Sequence, residues 1–196
     1  MMLLSLFLLL TMLDAASIEV PIYPHAALGG GNVIAELQIV SGRVEKVIVH
    51  SDEGAFADAC RDALMQWRFQ PDHNGRELVA VHFRHPAFFS FDDADQDIRP
   101  ANVHESLPYP LSIRRPVYPV NVVARGGVVL RVDISAEGKV SDVEVLRGLG
   151  GLTETSVNAV REWTFRPAKD RMGKHVPSQA YALFVYRFPV IAQPRD

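Results

Sequence analysis

Cysteine is almost missing from this chain. Cys60 is the single one among 196 residues, so no disulfide can close within the chain in any redox compartment. Long apolar runs are scarce as well. The stretch from Met1 to Leu13 offers about a dozen apolar residues, short of the roughly 17–25 that a membrane-spanning helix requires. Small residues follow it at Ala15, Ala16 and Ser17, which is the pattern of an export signal cleaved near Ser17; an uncleaved short anchor is the alternative. Basic clusters are absent and the net charge is −3, which excludes nucleic acid as a partner because nothing forms a stripe able to displace its counterions. There is no Gly-x-Ser-x-Gly, no His-Glu-x-x-His and no carboxylate pair in an apolar setting. The expectation is a protein that is not an enzyme and has no small-molecule substrate, cofactor or metal.

What the chain does contain is itself, twice. Both of its tryptophans stand in one frame, Trp67-Arg68-Phe69-Gln70-Pro71 and Trp163-Thr164-Phe165-Arg166-Pro167. Each frame follows a Pro-x-Tyr-Pro, at Pro21-Ile22-Tyr23-Pro24 and Pro116-Val117-Tyr118-Pro119. The offset from Pro21 to Pro116 is 95 positions and from Trp67 to Trp163 it is 96, so the copies differ by one residue between the motifs. A tandem repeat fixes the architecture before any propensity is weighed.

The hydrophobic period changes in the same order in both copies. Val33, Ala35, Leu37 and Ile39 alternate with Ile34, Glu36 and Gln38, and Val128, Leu130, Val132 and Ile134 alternate in the same way, each implying a strand with one buried face. Ser41-Gly42 and the longer Ala136-Glu137-Gly138 then turn the chain into returning strands through Val47 and Val49, and Val143 and Val145. A helical stripe follows: Phe56, Ala59, Cys60, Ala63 and Trp67 in one copy, and Leu152, Ser156, Ala159, Val160 and Trp163 in the other. Phe69 and Phe165 fall on the same side as the tryptophans, and Pro71 and Pro167 stop the helix from resuming. Last strands run through Val79, Val81 and Phe83, and through a longer stretch from Tyr181 to Phe188.

The expected fold is therefore α+β, with two tandem small domains. Each is an antiparallel sheet, made of hairpin, helix and strand, covered by helix on one face behind a short proline-started helix. The expected boundaries are a signal peptide at 1–17, a first domain at 18–91, an acidic linker at 92–107 and a second domain at 108–196.

Several short patterns imitate chemistry without completing it. Gly148-Leu149-Gly150-Gly151 opens a helix as a phosphate loop would, but Thr153 takes the third glycine position and no parallel βαβ unit surrounds it. Asp93-x-Asp95-x-Asp97 starts like a calcium loop, yet Ile98 and His104 stand where glycine and glutamate are required. His82 and His85, three apart in a strand, point to opposite faces and make a poor ligand pair.

The order of Tyr-Pro, glycine-turned hairpin, helix ending in Trp-x-Phe-x-Pro, and aromatic last strand resembles the TonB carboxy-terminal domain family. The second copy carries the resemblance more closely, through Arg115-Pro116-Val117-Tyr118-Pro119, Ala136-Glu137-Gly138-Lys139-Val140 and Trp163-Thr164-Phe165-Arg166-Pro167-Ala168. The resemblance implies a periplasmic module that recognises proteins, connected with outer-membrane transport. Energy-transducing members add a membrane helix that engages a motor and a long proline-rich spacer. The short apolar start here has no histidine in a Ser-x-x-x-His arrangement and runs within a few residues into the first copy, which implies an adaptor. An anchored transducer component on the periplasmic side of the inner membrane is the alternative, and an envelope protein whose repeats pair only with each other is a third reading.

In the family an extended peptide from outer-membrane transporters is received along the sheet edge. The expected partner is thus a protein or extended peptide, held at Tyr181, Leu183, Val185 and Arg187 if the last strand is an open edge. If that strand is internal, or pairs with its counterpart in the first copy, the edge does not exist. Arg114 and Arg115 correspond to a segment that also contacts transporters in the family. Tyr23, Trp67, Phe69, Tyr118, Trp163 and Phe165 are expected to be structural.

Overall fold

The computed structural model describes residues 15–25, 27, 29–50, 54–84, 96–98, 102–119 and 121–188. The first copy contains β1 (Ala15–Ser17), β2 (Gly31–Val40), β3 (Arg43–Val49), α1 (Ala55–Leu64), β4 (Arg68–Phe69) and β5 (Gly75–Arg84). The second contains β6 (Gln96–Asp97), β7 (Tyr109–Ile113), β8 (Gly126–Ile134), β9 (Val140–Arg147), α2 (Leu152–Arg161), β10 (Thr164–Arg166), β11 (Ala168–Lys169), β12 (His175–Val176) and β13 (Ser178–Tyr186). The class is α+β, as its periodicities imply.

The hairpins and helices form for the reasons read from the sequence. Ser41 and Gly42 both have positive φ, 50° and 73°, the geometry of a two-residue turn whose twist matches its strands. Gly138, at φ 78°, closes the longer hairpin. Each turn glycine also accepts a hydrogen bond at its carbonyl from the phenylalanine of the Trp-x-Phe frame: Phe69 N–H to Gly42 at 2.8 Å and Phe165 N–H to Gly138 at 2.9 Å. A Cβ on Gly138 would stand 1.9 Å from the Phe165 carbonyl oxygen. Gly138→Ala should therefore cost about 2–3 kcal/mol, from the left-handed backbone and the collision together, read as a shifted denaturant midpoint. Gly150→Ala, also at positive φ but facing open space, is the control and should cost about 1 kcal/mol.

Strand pairing departs from two separate small sheets. One eight-stranded sheet runs through both copies in the order β1-β4-β3-β2-β5-β13-β8-β9. The copies meet where β5 and β13 pair in parallel, with Tyr181 opposite Val79 and Tyr186 opposite Arg84. β13 also pairs along its whole length with β8, from Ser178 against Ile134 to Tyr186 against Gly126. The last strand of the second copy is therefore internal, which corrects the expectation of an open edge at residues 181–188. The last strand of the first copy is also not the shorter one, since β5 covers ten residues and β13 nine.

The two helices cover opposite faces of this sheet, and each core borrows from the other copy. On the α1 face, Val33, Ala35, Leu37, Val79, Val81, Phe83, Cys60, Leu64, Trp67 and Phe69 pack with Val129, Tyr181, Leu183 and Val185. On the α2 face, Leu130, Val132, Leu152, Val160, Trp163 and Phe165 pack with Ile34, Leu78 and Ala80. Residues Val33 to Leu37 are buried on both sides, so the single buried face expected for that strand is two. Cores shared in this way tie the two copies to each other.

The inter-copy segment is also more than a linker. Val103 and Leu107 are buried in the α2-side core and β6 pairs with β7, while Asp92, Asp93 and Asp95 lie outside the described residues. Among the described residues neither Tyr-Pro segment starts a helix; the Ala27 N–H donates to the Pro24 carbonyl and the Val122 N–H to the Pro119 carbonyl.

Candidate functional site

The expected structural residues hold the same local device in both copies. Trp67 donates from Nε1 to the Glu19 carbonyl and Trp163 from Nε1 to the Arg114 carbonyl, both at 2.8 Å and both two residues ahead of the Pro-x-Tyr-Pro. The tyrosines then clamp the loop after it: Tyr23 donates to Gly29 and Tyr118 to Ala124, each six residues on. The tryptophan thus ties the Tyr-Pro segment to the end of the helix, and buried Phe69 and Phe165 back it. Burial raises the Tyr23 phenol to about 12, so it remains a donor at any physiological pH.

The expected binding residues are dispersed. Tyr181, Leu183 and Val185 point into the α1-side core, where Tyr181 meets Trp67 edge-on at 5.3 Å. Arg187 lies just past β13, donates to the Ala27 carbonyl at 2.9 Å and sits over the Tyr23 ring at 5.4 Å. It ties the second copy to the first. Arg114 is exposed and Arg115 half-buried; both line a cleft of about 360 Å³ beside exposed Val117 and the α2 residues Thr155 and Asn158. Among the expected contacts within the matching copy, this pair and the half-buried Arg187 remain on an accessible surface.

A second polar cluster was not anticipated. Asn32 and His82 are cross-strand partners on the α2 face, joined at 2.7 Å through Oδ1 and Nδ1, with His82 Nε2 buried. Arg84 donates from Nε to the Pro116 carbonyl nearby. Burial, then the charges of Arg84 and Arg115, lower His82 from 6.5 to about 3. Its folded value lies below its unfolded one, so the unfolded chain takes up a proton that the folded chain refuses. This contribution is complete above about pH 6.5 and declines as pH falls towards 3. Moving from pH 7.5 to 5 should cost about 2 kcal/mol through this group, and His82→Gln should flatten that slope in urea melts.

An apolar groove of about 610 Å³ lies where the copies meet. Val20 to Pro24 form one wall, and the ends of β8 and β13, from Gly126 to Gly127 and from Val185 to Phe188, form the other. Gly127 is required here, because a Cβ would stand 2.3 Å from Val20 Cγ1. No group of histidine, cysteine or carboxylate side chains suited to a metal occurs among the described residues. No described helix is long and apolar enough to cross a membrane.

Residues 114–188 match the family described as Gram-negative bacterial TonB protein C-terminal. No curated protein matches the chain. Among solved structures, the solution NMR structure of the Pseudomonas aeruginosa TonB CTD is similar at 27% identity, over 48% of this chain and 94% of that one, with a TM-score of 0.36. Over residues 114–188 the chain is thus similar to the TonB carboxy-terminal domains.

Proposed function

We propose that the chain is an exported adaptor of the periplasm that binds other proteins and serves outer-membrane transport. The observation that carries this reading is the family match over Arg114 to Phe188, the stretch that includes the Arg114–Arg115 cleft and its exposed Val117. TonB carboxy-terminal domains are interaction modules without enzymatic activity, and the adaptor takes a protein or an extended peptide as its partner. A photoreactive side chain at Val117, 77% exposed, tests this in cells. Trapped outer-membrane transport proteins support the reading, and an empty trap at Val117 and across the other exposed surfaces overturns it.

Export with cleavage near Ser17 goes with this function, and intact mass of the protein recovered from the envelope should show residues 1–17 lost. One observation favours the anchored alternative: Ala15 is buried and β1 pairs with β4, so the residues around the cleavage site pack onto the sheet. Recovery of the full-length chain in the membrane fraction selects that alternative.

A further inference from the structure

We propose that the groove between the two copies is a docking site for an extended peptide of a partner protein, apolar along its length and carrying an acidic side chain. The inference rests on the protein-binding reading above and names a different surface from the Arg114–Arg115 cleft. Its walls are apolar, with Val20 and Tyr23 half-buried and Ile22 77% exposed and Phe188 47% exposed at the rim, above the strand end at Val185 and Tyr186. Three arginines line it, Arg125, Arg147 and Arg187, against one carboxylate, Glu19. Arg125 lies over the Phe188 ring at 5.4 Å, and neither Arg125 nor Arg147 forms an ion pair among the described residues. In a chain of net charge −3 this excess of cations around an apolar surface is local, and it complements an apolar segment bearing an anion.

Backbone geometry selects an extended peptide. β9 ends at Arg147, which pairs with Val129, so Gly126, Gly127 and Val128 pair with β13 and have no strand beside them on the β9 side among the described residues. Strand ends of this kind offer main-chain donors and acceptors to an extended segment. Half-buried Tyr23 and Pro24 add the rigid ring surfaces on which such segments rest. The site needs both copies, because its walls come from opposite halves of the chain.

The test uses the full chain in cells with a photoreactive side chain at Ile22, alone and combined with Arg125→Glu and Arg147→Glu. The expected result is a protein adduct whose mapped segment is apolar with at least one Asp or Glu, falling about ten-fold on charge reversal. The thermal midpoint should not change, since both arginines are exposed. Three results overturn the proposal: adducts indifferent to charge reversal, lipid adducts in place of peptide, and adducts formed only after residues 189–196 are removed. An empty trap at Ile22 removes the groove: adducts at Val117 then keep the wider function, and empty traps across every exposed surface remove that as well.

Discussion

A fragment of residues 108–196, which holds the whole family match, is expected to self-associate or remain unfolded when expressed without the first copy. In the intact chain β5 pairs with β13 along six consecutive positions, Tyr181 to Tyr186. Separation would expose that edge together with the α1 face of β8 and β13, where Val129, Tyr181, Leu183 and Val185 are now at most 2% exposed. Each such side chain contributes about 1.5–3 kcal/mol by burial, and together they rival the whole stability of a small domain. An open edge above an uncovered apolar face is a template for pairing with further copies. Sedimentation and denaturant melts of the fragment check this, and adding the 18–91 fragment should restore a folded complex. A monomeric fragment as stable as the intact chain would contradict the shared core.

The same packing explains what was legible in the sequence. Hairpins, helices and the Trp-x-Phe-x-Pro frames depend on local chemistry: glycine at positive φ in the turns, helical spacing of Phe56, Cys60 and Ala63, and proline after the aromatic pair. All of these form where the period places them, with α1 ending at Leu64, three residues before Trp67. The union of the sheets depends on strands about a hundred residues apart, and no local period encodes such a pairing. One signal was present. A strand covered on both faces reads as a nearly continuous apolar run, and Leu78-Val79-Ala80-Val81 and Tyr181-Ala182-Leu183-Phe184-Val185 are such runs. Ile34, assigned to the solvent side of its strand, is fully buried against the other copy for the same reason. The groove was hidden more deeply, since its three arginines lie on the β8 entry, the β9 end and the β13 exit. These strands neighbour one another within the second copy, and the opposite wall, from Val20 to Pro24, belongs to the first copy, so the groove exists only once the sheet is continuous.

Continuity of the sheet also determines how the tryptophan variants should behave. Trp67 and Trp163 are the largest buried side chains, at most 1% exposed, and each holds a Tyr-Pro segment through its indole N–H. Replacing either by alanine leaves a cavity beneath a helix end and orphans a carbonyl, a loss of about 3–5 kcal/mol. Were the copies independent, such a loss would melt one and spare the other. Here Trp67 packs on Tyr181 of the second copy, and Trp163 packs on Phe184, which in turn meets His82 of the first. Each variant keeps one tryptophan as a reporter in the copy that was not altered. In Trp163→Ala the fluorescence of Trp67 should report a transition coincident with loss of far-ultraviolet ellipticity, both at a midpoint well below that of the wild type. Trp67→Ala, followed through Trp163, should do the same. Persistence of either reporter at the wild-type midpoint, after half of the ellipticity has gone, would show two cooperative units in place of one.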